Sequence, residues 1–317
     1  MQRLEVIGKF ILAVAASVVL FMTGVGLPPL GVVVLPFVVQ PALIFGFKFG
    51  MAGGMGLLVV AIILLALFAG EELACIYGLF AVMASMLFTL LGRIRVIDYL
   101  IAGVASVMLA LTAGLAFYFF GSWGAMFRDF RQGMVQQLDG AVRMHEKMGL
   151  PQESLALLKE RAPQIIDMVV QLLPALLLLS FALIVLINII YLGRRFPERR
   201  ANWFSIAHLR EWKGPEPLVW GLIACGFALF IPGLGVLRIV ALNLLLVIGA
   251  YYFAQGLAVI SFFFHKNNVP RFLRGLTYVL IVFQQIFTLL VVGLGLFDLW
   301  GDFRRLNKDN LTPSQAA

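Results

Sequence analysis

The sequence predicts an all-α, polytopic transmembrane helical bundle of about eight or nine spans, with an amphipathic helical hairpin outside the membrane. Three observations predict it. Hydrophobic residues make up 62% of the 317 residues and charged residues only 13%, against about 25% charged in an ordinary soluble domain. The apolar residues fall into runs of span length. The charges concentrate in short stretches between those runs, as in Arg194, Arg195, Arg199 and Arg200. A soluble chain of this size could not hide so much apolar surface, whereas lipid tails solvate it.

Taken in order, the candidate spans lie near 8–26, 29–47, 51–70, 73–92, 97–121, 166–193, 217–232, 236–264 and 271–298. The count falls to eight if the 217–232 segment dips in and returns. Arg3 and Lys9 precede the first run, which reads as an uncleaved span. Placing these residues in the cytoplasm puts Lys48 inside, Glu71 and Glu72 outside, and Arg93, Arg95 and the RRFPERR loop inside. The C-terminal parity stays open. Nine spans put Lys266, Arg271 and Arg274 inside but Arg304, Arg305 and Lys308 outside, and eight reverse both. Trp123, Trp203, Trp212, Trp220 and Trp300, with Tyr99 and Tyr191, lie near span ends or in loops, as an interfacial belt requires.

Residues 124–165 break the apolar pattern. Phe127, Phe130, Met134, Leu138 and Val142 recur at three- and four-residue steps, so they line one helical face. Pro151 interrupts, and a second short helix carrying Leu155, Leu157 and Leu158 is expected to follow. The resulting hairpin would lie on the outer surface or cap the bundle, and it is a candidate surface for a protein partner. It divides the chain into an N-terminal bundle of five spans (1–123), the hairpin (124–165) and a C-terminal bundle of three or four spans (166–317).

Several chemistries find no support. The net charge of +8 is distributed as loop charge, without a basic stripe interleaved with aromatics, so nucleic-acid binding is not expected. Cys75 and Cys225 lie inside apolar runs and read as buried hydrophobes. His145, His208 and His265 are far apart, and no metal site is proposed. No P-loop, G-x-S-x-G elbow or H-E-x-x-H helix occurs, so no reaction or cofactor is assigned.

Charges deep in spans are nearly absent. Asp98, Asp167, Glu71 and Glu72 sit at span boundaries, and Arg238 lies beside the Pro232-Gly233 break. The polar residues inside later spans are the amides Asn188, Asn243, Gln255, Gln284 and Gln285. Asn188 and Asn243 lie nearer a span end, where water can reach. The glutamines would leave unpaired groups if they faced lipid, so they are expected to turn inward. Singly they read as helix–helix glue, worth about 0.6–2 kcal/mol per bond. As a set they could line a cavity for a small polar ligand. Gly256, after Gln255, leaves room for that ligand or for a neighbouring helix. Asp298 and Asp302 stand four apart at the end of the last span, able in principle to share a cation. The competing reading, an ion pair with the nearby arginines, is favoured by Arg305 three residues after Asp302.

Prolines 28, 29, 36 and 41 interrupt the second span, and Ile231-Pro232-Gly233-Leu234-Gly235 interrupts the second half. Such breaks produce packing and kinks, or broken helices whose backbone lines a polar site. Pro41 to Gly54, PALIFGFKFGMAGG, resembles early spans of the substrate-binding membrane subunits of energy-coupling-factor vitamin transporters. NLLLVIGAYYFAQGLAVISFFF from Asn243, GLGLFDLWGDFRR from Gly293, LLPALLLLS from Leu172 and EWKGPEPLVWGL from Glu211 together resemble the YybS-like family of bacterial integral membrane proteins. That resemblance implies a bacterial inner-membrane address and a helical bundle, but no reaction and no site residues.

Two functions are therefore expected to compete. One is a transporter-like subunit that binds a small metabolite through Asn188, Asn243, Gln255, Gln284 and Gln285. The other is a non-transporting membrane scaffold for envelope assembly, working through residues 124–165. An enzyme acting on lipid-linked substrates, resting only on Asp298 and Asp302, comes third.

Overall fold

The computed structural model describes residues 2–147, 152–203 and 209–304, which are helical with short connections and contain no strand. Helix α1 (Gln2–Gly26) runs into the proline-rich second span. There the missing N–H groups of Pro36 and Pro41 prevent one continuous ladder. The span is instead built from α2 (Pro28–Val34), a single 3₁₀ turn at Leu35–Phe37, and α3 (Gln40–Phe49). Gly50, at φ 116°, takes a conformation closed to residues with a side chain and separates α3 from α4 (Met51–Phe68). Helices α5 (Glu71–Leu90) and α6 (Ile97–Phe120) complete the five N-terminal spans.

Helix α7 (Trp123–Lys147) is the amphipathic helix expected outside the apolar runs. Its Val142 is buried, Phe127, Met134 and Leu138 are half-buried, and Phe130 is exposed. The second arm differs from expectation. No short helix stands alone after Pro151; α8 (Gln152–Arg195) continues for 44 residues into the next span. Pro163 and Pro174 lie within it, and each removes one donor without ending the helix. Arg131 on α7 donates to Asp167 on α8 at 2.7 Å, and this bond and charge hold the guanidinium's pKa above its ordinary value.

The remaining helices are α9 (Pro197–Trp203), α10 (Leu218–Phe230), α11 (Val236–Lys266), α12 (Arg271–Phe283) and α13 (Gln285–Gly301). Among the described residues seven helical segments are long and apolar enough to cross a bilayer, or eight spans if α12 and α13 count as one. Nine is not reached, because α10 has 13 residues. At 1.5 Å per residue it is about 20 Å long, short of a hydrocarbon core of about 30 Å. The axes of α12 and α13 turn by 104° at Gln284.

By compactness the chain divides into two units: residues 1–170 with 177–205, and residues 171–176 with 206–317. In the first, Phe21, Leu43, Leu57, Tyr77, Leu87 and Leu100 are fully buried between α1 and α6. In the second, Val219, Ile248, Tyr252 and Leu299 form the apolar centre between α10, α11 and α13. Outward-facing side chains such as Phe68, Phe230 and Val236 are apolar and exposed, as lipid contact requires.

Candidate functional site

Two buried polar clusters stand out against these apolar bundles, one in each unit. The first surrounds the interrupted span. Breaking a helix frees carbonyls, and in lipid each must find a donor. The carbonyl of Pro36 receives the Asn188 Nδ2 at 2.9 Å, and that of Val38 receives the Ser17 hydroxyl at 2.7 Å. Ser17 also meets the Tyr77 hydroxyl at 2.7 Å. Asn188 and Ser17 are fully buried and Gln40 nearly so. Asn188 makes a further bond to the Ile184 carbonyl at 2.8 Å, which fixes its amide orientation. Its Oδ1 and the Nε2 of Gln40 are left without hydrogen-bond partners among the described residues. Asn188 therefore braces the helix break, at a place shut off from water although it lies near a span end.

The second cluster is centred on Gln255 in α11. Its Nε2 donates to Asp298 Oδ2 at 3.3 Å and its Oε1 accepts from the Gly214 N–H at 3.3 Å. Asp298 Oδ2 also receives Arg304 Nη2 at 2.7 Å. Arg304 Nη1 donates to the carbonyls of Arg210 and Trp212 at 2.7 and 2.9 Å. Gln255, Asp298 and Arg304 are each at most 3% exposed. Asp298 Oδ1, Arg304 Nε and the Tyr252 hydroxyl are buried without partners among the described residues.

Close helix approach positions this cluster. A Cβ on Gly256 would stand 2.0 Å from the Val291 carbonyl oxygen, and one on Gly295 would stand 2.0 Å from that of Tyr252. The room beside Gln255 is thus taken by the backbone of α13, which brings Asp298 against α11. Helix α13 ends at Gly301, and Asp302 adopts a left-handed conformation at φ 37° with its N–H on the Asp298 carbonyl. This turn sends Arg304 back into the bundle. On the other side, the segment 209–217 lies over α11, with the Trp212 ring 4.9 Å from that of Tyr251. A Cβ on Gly214 would meet Tyr251 Cε1 at 2.5 Å and Gln255 Oε1 at 2.9 Å, so a side chain there would push on the Tyr251 ring and the Gln255 amide.

This corrects the expectation that charges avoid the interior. Asp298 is inside the bundle, beside a residue about 16 Å along the helix from Lys266 and about 26 Å from Arg238. Its partner is Arg304, while Arg305 lies outside the described residues. Asp302 forms the turn that ends α13. Among the described residues no three His, Cys, Asp or Glu side chains are grouped to hold a metal ion.

The five sequence-selected amides do not gather. Asn188 belongs to the first cluster and Gln255 to the second. Asn243 is half-buried and serves α8: its Oδ1 accepts from the Ala175 N–H at 2.9 Å and its Nδ2 donates to the Gln171 carbonyl at 2.8 Å. It thereby inserts into the helix ladder next to Pro174. Gln284 and Gln285 do not turn inward; both are exposed at the 104° bend. The expected ion pair with a nearby arginine forms between Asp298 and Arg304, whereas sequence reasoning missed Gly214 and the turn that brings Arg304 back. One signal was available: no acidic residue occurs between Glu216 and Asp298, so a single carboxylate interrupts a long acid-free stretch.

Fold and clusters together define a multi-pass integral membrane protein whose two helical units each enclose a small polar core. The family model described as "Predicted membrane protein (DUF2232)" matches residues 15–299, and the chain belongs to that family. The match takes in Gln255 and Asp298 and stops short of Arg304. No curated protein and no solved structure matches the chain.

Proposed function

We propose that the protein is a transporter-like membrane subunit that binds a small polar metabolite, with Gln255, Asp298 and Arg304 at its site. One observation carries the reading: a carboxylate, a guanidinium and an amide are buried together within an apolar bundle, with polar atoms still unmet. Burying two charges costs several kcal/mol per ion, and apolar residues of the same volume would usually give an equal or more stable bundle. Ionisable groups kept inside membrane bundles commonly serve a substrate path. The unmet acceptor Asp298 Oδ1 and donor Arg304 Nε offer a polar ligand one bond of each kind. Of the five amides selected from sequence, Gln255 remains in this site, while Asn188 and Asn243 act as braces. The chain carries no nucleotide-binding motif, so transport would draw on partner subunits or an ion gradient.

The test is mass spectrometry of small molecules released from protein purified in lipid nanodiscs, comparing the unaltered chain with Gln255→Leu. A polar metabolite held by the unaltered chain and lost from a folded Gln255→Leu variant is expected. Recovery of lipid alone from both would overturn the reading. The alternative is a membrane scaffold working through residues 124–165, and α7 favours it by presenting a continuous polar side with Arg128, Asp129, Arg131 and Asp139 exposed. Capture of one stable partner through that helix, unchanged by Gln255→Leu, would select it.

A further inference from the structure

Helix α12 runs in the wrong direction for half of a straight span, and its two faces differ. It turns 104° from α13, so if α13 runs along the membrane normal, α12 lies close to the membrane plane. One stripe faces its own unit: Ile281 is buried, and Arg274 and Tyr278 are half-buried. The opposite stripe, Phe272, Leu276, Val279 and Phe283, is 45–80% exposed, too apolar for water. Basic residues cluster at its beginning. Lys266 and Arg271 are exposed and form no ion pair among the described residues. Arg274 is engaged with the Val269 carbonyl at 2.7 Å. No acidic residue between Glu216 and Asp298 could neutralise them locally.

The exposed glutamines supply the decisive constraint. Gln284 and Gln285 sit at the bend with exposed side chains. In hydrocarbon two unpaired amides would carry a desolvation cost that nothing here offsets. At headgroup depth, water and phosphate oxygens satisfy them. Fixing the bend at that depth fixes α12 there as well, since the two helices meet at Gln284.

We propose that α12 is an interfacial helix that lies in the membrane plane. Its Phe272–Phe283 stripe enters the acyl boundary, and Lys266 and Arg271 bind the phosphates of anionic phospholipids. A helix with an apolar face and a basic end is the pattern that binds such surfaces, and charge attraction adds to apolar burial.

The test uses the full chain with Cys75 and Cys225 replaced by Ala. Spin labels are placed at Phe272→Cys or Phe283→Cys, in vesicles of phosphatidylcholine with or without phosphatidylglycerol. An in-plane helix places both labels at equal depth, near the headgroup boundary. A broken span would separate them by about 16 Å in depth. Lipid retained by the protein purified from mixed vesicles should be enriched in phosphatidylglycerol. Lys266→Gln with Arg271→Gln should lower that enrichment by about fivefold for each charge. Unequal label depths, labels that report protein–protein contact with a second copy, or an enrichment unchanged by the double substitution would each overturn the proposal.

Discussion

Asp298 and Arg304 are six residues apart and bonded at 2.7 Å, joined by a helix end that reverses at Asp302. An α-helix continued past Gly301 would carry Arg304 onward, away from the carboxylate. The left-handed Asp302 turns it back, and the Arg210 and Trp212 carbonyls complete its shell. The pair thus pins the end of α13 to the loop over α11, linking a backbone turn to the only buried carboxylate among the described residues.

Removing one partner should be far worse than removing both. Asp298→Asn leaves a buried guanidinium uncompensated, a loss of about 3–5 kcal/mol. Asp298→Leu combined with Arg304→Met should recover much of it, because two desolvation costs vanish together. Thermal unfolding in detergent, followed by tryptophan fluorescence, would measure the order. Equal destabilisation by the single and double variants would contradict a paired role.

The α11–α13 crossing should reject any side chain at its contact points. Gly256→Ala places a methyl 2.0 Å from the Val291 carbonyl oxygen, and Gly295→Ala does the same to Tyr252. Backbone on both sides has no rotamer to yield, so the helices must separate. Because α13 carries Asp298, each variant should expose the Gln255 cluster. Hydrogen exchange at Gly214 and Gln255 should rise in both, whereas Gly249→Ala, which meets no atom within 4 Å, should leave it unchanged.

Asn188 should be needed as a donor rather than for its size. Asn188→Leu fills a similar volume but leaves the Pro36 carbonyl unpaired, costing about 1–3 kcal/mol. Ser17→Ala should add to this loss, since it strips Val38 and Tyr77 of a shared partner. Protease sensitivity of the α2–α3 connection, measured for each single variant and the pair, would report the opening. Resistance equal to that of the unaltered chain would dismiss the bracing role.

Much of the architecture was legible in the residues. The five early spans and the extramembrane character of α7 follow from apolar run length and from three- and four-residue spacing, which are local properties. The break at Pro36 and Pro41 was equally readable, because a missing N–H acts at its own position. One local reading failed for a reason outside its own segment. The residues after Pro151 predict a short helix, yet α8 runs through 44 residues, past Pro163 and Pro174. A helix tolerates an internal proline when a neighbour satisfies the freed groups, as Asn243 does at Gln171 and Ala175. That neighbour is 68 residues away from Ala175 in sequence.

What the sequence determined alone is the medium. Apolar residues at 62% cannot be hidden by any fold of 317 residues, so lipid must be the solvent whatever the packing. Which polar groups meet was decided only in three dimensions. Gln255, Asp298, Arg304 and Gly214 come from three separate stretches, and they converge because glycines let α11 and α13 touch and a left-handed residue folds the chain back. Burial cost depends on the partner found, and partners distant in sequence leave no local trace.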